Sequence, residues 1–235
     1  MLLGFVSDAH GNPSGLVSCH NQLRSEGAER IYFLGDAVGY WPHGTAVVRE
    51  LLSWKTPCIK GNHDAMLLGL LPIPKGKESI YRLKPEILSI PESWKRAMTD
   101  EWPLRRELAV AGRQILLVHG RPTDSLEGYL YENDPTLPGE SEGFDVVVMG
   151  HTHHAFIKYE KNVLWLNAGS CGMPRDMGDM ASCALYDSVL HTARILRVKI
   201  DTGSLLASCA PGSVAPEVIE CLDRNAKHKL KHSPP

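Results

Sequence analysis

Five short apolar runs in this chain end in polar residues of the same few kinds. LLGFV runs into Ser7-Asp8-Ala9-His10 and RIYFL into Gly35-Asp36. TPCIK runs into Gly61-Asn62-His63-Asp64, QILLV into His119-Gly120, and DVVVM into Gly150-His151-Thr152-His153. Short continuous apolar runs bounded by such residues read as strands buried on both faces. In open α/β sheets, ligands bind in the crevice outside the carboxyl ends of the strands. One Asp or His after a strand is more often a hydrogen-bonded structural residue. Five in register deliver Asp, His and Asn to one edge and mark a site.

The segments between these runs fit that frame. Asn12 before Pro13 reads as a helix N-cap followed by proline at the first helical position, with Leu16, His20 and Leu23 on one side and a stop near Gly27. GTAVVRELLSW turns Val47, Val48, Leu51 and Leu52 inward. The first third is therefore β-α-β-α-β, which favours neighbouring parallel strands with helices on the sheet. Residues 65–108 read as a helical insertion, whose Trp94, Met98 and Trp102 recur at helical spacing and are assigned to core packing. AFIKYEKNVLWLNAGS reads as two strands turning at Lys161-Asn162, and CALYDSVLHTARILRVKID as two more. The expected organisation is one domain over residues 1–203 and a peripheral tail over 204–235 that ends in the basic run AKHKLKH.

Composition closes off other classes. A net charge of −2 and scattered Lys and Arg argue against a nucleic-acid-coating surface. No apolar stretch reaches membrane-spanning length. The N-terminus MLLGFVSDAHGN has no basic region and turns at once into a polar motif, so no signal peptide is expected. The six cysteines form no C-x-x-C pair and read as reduced thiols of a cytoplasmic protein.

The residue types at the strand ends point to metal chemistry. Asp8 and His10 are two apart, as are His151 and His153, so in extended chain each pair shares a face. With Asp36, Asn62 and His119 they make seven oxygen and nitrogen donors. One ion rarely uses seven such donors, whereas two divalent ions sharing a bridging carboxylate do. Asp36, alone on its strand, is the natural bridge. The absence of cysteine from these motifs favours N/O-tolerant ions: manganese first, or iron, zinc or nickel. Two such ions against two carboxylates leave the site about +2, which suits a phosphate-type anion. They also lower the pKa of bound water toward ~7, giving a hydroxide that attacks phosphorus. His63 is left over and suits a charged or proton-donating role toward the phosphate and leaving oxygen. Asp64 is placed to orient its imidazole, or to cap the helix that follows. His154 falls on the opposite parity to His151 and His153 and should point away from the metals.

The motifs D-x-H, G-D, G-N-H-D, H and G-H-T-H, in this order, resemble those of the calcineurin-like metallophosphoesterase superfamily over residues 3 to about 187. GDAVGYWPHG, LLVHGRPTDSLEGYL and NAGSCGMPRDMGD are most similar to segments of its small prokaryotic phosphodiesterase branch. The resemblance implies an α/β fold: a four-layer α/β/β/α sandwich with mixed sheets. It implies one metal held by Asp8, His10, Asp36 and His153, and a second by Asp36, Asn62, His119 and His151, with His63 catalytic. The expected activity is hydrolysis of a small phosphoester, such as a nucleotide. Arg121, Ala168, Cys171 and Met173 depart from the branch pattern without touching a proposed ligand. Arg175 is a candidate phosphate clamp or a salt-bridge partner, and Arg121 a second candidate cation. The serine/threonine protein phosphatases carry an Arg soon after G-D, where this chain has AVGYWPHG, so a protein substrate is disfavoured. A non-catalytic scaffold of the same fold would lose catalytic polar residues, and here every one is kept.

Overall fold

A computed structural model describes residues 1–224 of the chain, so the basic run AKHKLKH lies outside the described residues. In chain order the elements are β1 (Leu2–Val6), α1 (Pro13–Ser25), β2 (Arg30–Phe33), α2 (Gly44–Ser53), α3 (Asn62–Leu67), α4 (Glu78–Tyr81), α5 (Leu83–Ser89) and α6 (Glu92–Glu101). There follow β3 (Arg105–Val110), β4 (Arg113–Val118), β5 (Val146–Met149), β6 (Phe156–Glu160), β7 (Val163–Asn167), β8 (Met180–Asp187) and β9 (Thr192–Lys199), then α7 (Thr202–Ala207) and α8 (Pro216–Glu220).

The strands form two mixed sheets. The first has the order β2-β1-β8-β9 and the second β3-β4-β5-β7-β6. Within the first, β1 and β2 are parallel; within the second, β4, β5 and β7 are parallel. The continuous apolar runs are explained by what lies on each face. Leu3, Phe5, Tyr32 and Leu34 of the first sheet meet Ile115, Leu117, Val146, Val148, Leu164 and Leu166 of the second in a core between the sheets. The alternate residues face outward: Val6, Ile31 and Phe33 toward Leu16, Leu23, Val47, Val48 and Leu51 of α1 and α2. Those of the second sheet, Leu116, Val118, Val147, Met149 and Trp165, pack with Leu130 and Phe156. Burying both faces of a strand excludes alternation, and so the sequence shows none.

This is the α/β arrangement of two mixed sheets and helices expected from sequence. The layer over the second sheet is made by residues 119–145, which hold turns and no helix. Asn12 caps α1 as expected, its side chain accepting from Gly15 N at 3.1 Å. Met98 and Trp102 are buried in the helix-side core, with Trp94 packed against it.

Two local expectations differ. TPCIK joins the first sheet only through a single parallel bridge, Phe33 to Cys58. Its next amide, Lys60 N, bonds Pro103 O instead, and Pro57 has no N–H to extend a ladder. The end of the supposed helical insertion, Arg105–Val110, is a strand that pairs antiparallel with β4. Ala111 and Gly112 both take positive φ between them, the two-residue turn that matches strand twist.

Residues Leu205, Val214, Ala215, Val218, Cys221 and Leu222 dock into the helix-side core. All six cysteines are free and five are buried. No described helix is long and apolar enough to cross a membrane.

Candidate metal centre

The sheets bring the ends of β1, β2, β4 and β5 and the start of α3 to one edge, where the seven donors converge with His63. Asp8, His10, Asp36, Asn62, His63, His119, His151 and His153 are all buried. Three overlapping groups have ligand atoms close enough to share an ion: Asp8, His10 and His153; His10, Asp36 and His63; Asp36, His119 and His151. Asp36 belongs to two of them. Its Oδ2 stands 3.5 Å from His10 Nε2 and 3.3 Å from His119 Nε2. Asn62 Oδ1 lies 3.2 Å from His119 Nε2. His154 belongs to no group; it is only partly buried, with its ring against Tyr131.

The side chains do not converge through the strand pleat. The strands stop at Val6 and Met149, and Asp8, His10, Asp36, His151 and His153 all have positive φ, between 45° and 64°. The same-face argument from i,i+2 spacing in extended chain is therefore corrected: each pair is aimed by consecutive sharp turns. A left-handed backbone costs an L-residue about 1–2 kcal/mol, and Asp, Asn and His adopt it more readily than branched residues. Such strain persists where the surroundings over-determine it, and it clusters at functional sites. Here the surroundings are specific. Asp8 N bonds Gly35 O, His10 N bonds Asp36 O, and His151 N bonds Asp8 Oδ2. Ser170 Oγ donates to Asp8 O, and Asn167 Nδ2 donates to Gly150 O.

The glycines preceding the donors have a packing reason. A Cβ on Gly150 would run into Ser7 Oγ, and one on Gly61 into Asp36 Oδ1. The end of β5 can approach that of β1 this closely, and the Gly61 turn the Asp36 turn, only as bare backbone.

Hydrogen bonding fixes how the imidazoles face. Nδ1 of His10 lies 3.0 Å from Val38 O, that of His119 2.8 Å from Leu34 O, and that of His153 2.6 Å from Met173 O. A carbonyl only accepts, so each Nδ1 carries the proton and each Nε2 is turned inward. The Nε2 atoms of His10 and His153 then face each other at 3.0 Å, and His153 Nε2 is 3.2 Å from Asp8 Oδ1. Asp8 Oδ1 and His151 Nε2 are buried without a hydrogen-bond partner. Lone pairs and carboxylate oxygens gathered in a buried space call for cations, so the donors fit a metal.

Charge states agree with this. Burial and neighbouring cationic groups push His151 down to about 3 and His153 down to about 4, so both are neutral at pH 7. Burial works against the charged form of His119 too, but the Asp36 carboxylate outweighs it and lifts the ring to about 9. Burial also disfavours the carboxylates of Asp8 and Asp36; the surrounding imidazoles prevail and hold both below the usual range.

Burial holds the His63 imidazole well below its ordinary value, so the ring is neutral rather than charged. Its Nδ1 is buried without a partner. The Asp64 carboxylate makes no hydrogen bond to that ring. The Asp64 carboxylate accepts from Asp36 N (2.8 Å), Ala37 N (2.9 Å) and Gly61 N (3.0 Å), closing the first turn of α3 and joining it to the Asp36 turn. Burial and nearby Asp36 push Asp64 up to about 7. Of the two roles the sequence allows, the structure shows contacts for the capping one.

Arg121 is committed elsewhere. Its Nε and Nη2 lie 2.6 and 2.9 Å from the two oxygens of buried Glu140, which pins the 119–145 segment. Arg175 makes no ion pair within the described residues; its Nη2 donates to Tyr40 Oη at 3.3 Å. The sequence reading missed the tyrosines around the donors. Tyr40 and Tyr81 pack on His63 at 4.9 and 4.4 Å between ring centroids, and Tyr129 on His151 at 4.2 Å. GYWP and EGYLY were visible as motifs, but nothing local ties them to the site.

Two mixed sheets packed face to face, with a His/Asp/Asn cradle at their shared edge, define the class as metallophosphoesterase-like. The chain belongs to the calcineurin-like phosphoesterase superfamily, whose domain model matches residues 1–189. An uncharacterized protein of Methanocaldococcus jannaschii is 26% identical over 226 residues, covering 85% of this chain and 88% of its own. A hypothetical protein of Pyrococcus horikoshii superposes with a TM-score of 0.80 at 18% identity, covering 94% of this chain and 97% of its own. A metallophosphoesterase of Sphaerobacter thermophilus gives 0.75 at 22% identity, covering 95% and 98%.

Proposed function

We propose that this protein hydrolyses a small phosphoester, using two divalent transition-metal ions with manganese as the first candidate. The observation that supports this most is the inward convergence of His Nε2 atoms and carboxylate oxygens in a buried space. One ion would be held by Asp8, His10, Asp36 and His153, and the other by Asp36, Asn62, His119 and His151. When bound, such ions polarise phosphoryl oxygens and make water acidic enough to supply hydroxide near neutral pH. The backbone carbonyls of Val38, Leu34 and Met173 hold three rings in their ligating tautomer. Asp64 fixes the turn carrying Asp36 against the one carrying Asn62. His63, neutral but still bearing one N–H, donates a hydrogen bond to the phosphate or the leaving oxygen. Arg175, with no carboxylate partner among the described residues, pairs with the phosphate. The six free thiols are those of a cytoplasmic protein.

Metal analysis of purified protein and turnover of bis(p-nitrophenyl) phosphate after manganese loading test this reading. The expected result is close to two ions per chain and metal-dependent release of nitrophenolate. Protein that takes up no transition metal and leaves the diester intact overturns it. His63→Ala should keep the metals and lose turnover by roughly 10²–10⁴-fold.

A further inference from the structure

The donor cluster is flanked by tyrosines from three separate segments. Tyr40 follows β2, Tyr81 ends α4, and Tyr129 and Tyr131 belong to the 119–145 segment. They form two wings. On one flank, Tyr81 packs on His63 and meets Tyr40 edge-on at 5.4 Å. On the other, Tyr129 packs on His151 and stacks on Tyr131, with centroids 6.1 Å apart and planes within 16°. Arg175 links the wings: it donates to Tyr40 Oη, and its charge bears on the Tyr129 hydroxyl.

Tyr40 belongs to the helix-side core and Tyr81 packs against it, whereas neither Tyr129 nor Tyr131 is part of a core cluster among the described residues. Tyr40 is buried, but Tyr81 and Tyr131 are only partly covered and Tyr129 is 37% exposed. Each wing leans on a different buried histidine of the cluster, Tyr81 on His63 and Tyr129 on His151. Partly exposed aromatic rings beside Arg175 and the candidate metal centre offer flat apolar surface next to a charge. That combination suits a ligand with a phosphate at one end and a planar ring at the other.

We infer that Tyr81 and Tyr129 are specificity-determining residues that stack on a planar aromatic group of the substrate, of nucleobase size, while Arg175 and the metal centre take its phosphate. This rests on the phosphoesterase reading for the phosphate end only; the stacking surface stands on its own geometry.

The test compares ligands that differ only by the base. With manganese-loaded protein, kcat/KM is measured for adenosine 5′-phosphate against ribose 5-phosphate, and for the methyl esters of both. Equilibrium binding of adenosine and of ribose, neither of which can be hydrolysed, is measured by calorimetry. Base-bearing ligands should be favoured by about tenfold or more in both assays. Tyr81→Leu and Tyr129→Leu should each remove most of that preference, read as the ratio of base-bearing to base-free kcat/KM and as the ratio of adenosine to ribose binding, while Tyr129→Phe should retain it. Phenyl phosphate separates a bare flat ring from a full nucleobase as the preferred group. Equal binding of adenosine and ribose overturns the inference even if bis(p-nitrophenyl) phosphate is turned over. Equal losses on base-bearing and base-free substrates also overturn it, since they would make the tyrosines a mere barrier to water. If no phosphoester is cleaved but adenosine binds through Tyr129, the phosphoesterase reading fails and the stacking site stands.

Discussion

Residues 7–12, 35–38 and 150–154 turn sharply at the ends of buried strands; residues 68–91 and 119–145 run over the periphery. The sharp turns hold five donors at positive φ, are buried throughout the donor set, and lean on one another through backbone hydrogen bonds. The peripheral segments carry Tyr81, Tyr129 and Arg121, are largely uncovered between buried anchors such as Leu83, Ile90 and Leu130, and are tied down by side-chain contacts such as Arg121–Glu140. The difference separates two tasks. Positions that must be held to a fraction of an ångström sit where both sheets constrain the backbone. Positions that shape the mouth sit on chain that can vary without disturbing the core.

Breaking the first region should have the largest consequence. Asp36→Asn removes the carboxylate shared between two donor groups, so metal content should fall and phosphodiester turnover should drop on the order of 10³-fold, checked by metal analysis and steady-state kinetics. Gly150→Ala should be felt in folding, because the added Cβ meets Ser7 Oγ and the Asp8 carboxylate. A loss of about 3 kcal/mol in denaturant unfolding is expected. Retention of wild-type stability would show that this turn is looser than its contacts imply.

Breaking the second region should leave the donors in place. Arg121→Ala strands the buried Glu140 carboxylate and should destabilise the protein by about 3 kcal/mol, with metal content unchanged. A matching loss of metal would mean that the two regions are not separable.

A pH titration sharpens the same contrast. Metal-free His119, lifted to about 9 by Asp36, binds its proton more tightly folded than unfolded. It therefore contributes stability that is complete below about 6.5 and lost as pH rises through about 9. A metal must displace that proton, so apparent metal affinity should rise by about tenfold per pH unit up to about 9. Affinity flat over pH 7 to 9 would contradict the charged state of His119. The smallest effect belongs to His154→Ala, expected to keep the metals and stay within about twofold of wild-type activity.

Much of the site was legible because its donors follow apolar strands in fixed motifs, and the residue types name the chemistry. The pleat argument from the i,i+2 spacing nevertheless gave the wrong reason for bringing Asp8 and His10 together, which the structure does through consecutive turns. Positive φ at both is decided by contacts with Gly35, Asp36 and Ala37, which lie far along the chain. Asp64 and Arg121 show the same limit. A carboxylate next to a histidine and a guanidinium next to a donor motif both suggest chemistry locally. Their partners are three backbone amides and Glu140.

The tyrosine wings show it most fully, since Tyr81 reaches Tyr40 and His63, and Tyr129 reaches His151, only once both peripheral segments have closed over the sheets. Strand burial, helix capping at Asn12 and the donor set are properties of neighbouring residues, and these the sequence determined by itself. The left-handed turns, the tautomers set by distant carbonyls, the single bridge in place of a third strand and the aromatic mouth each depend on groups brought together from separate segments. Those only the packing of the two sheets could decide.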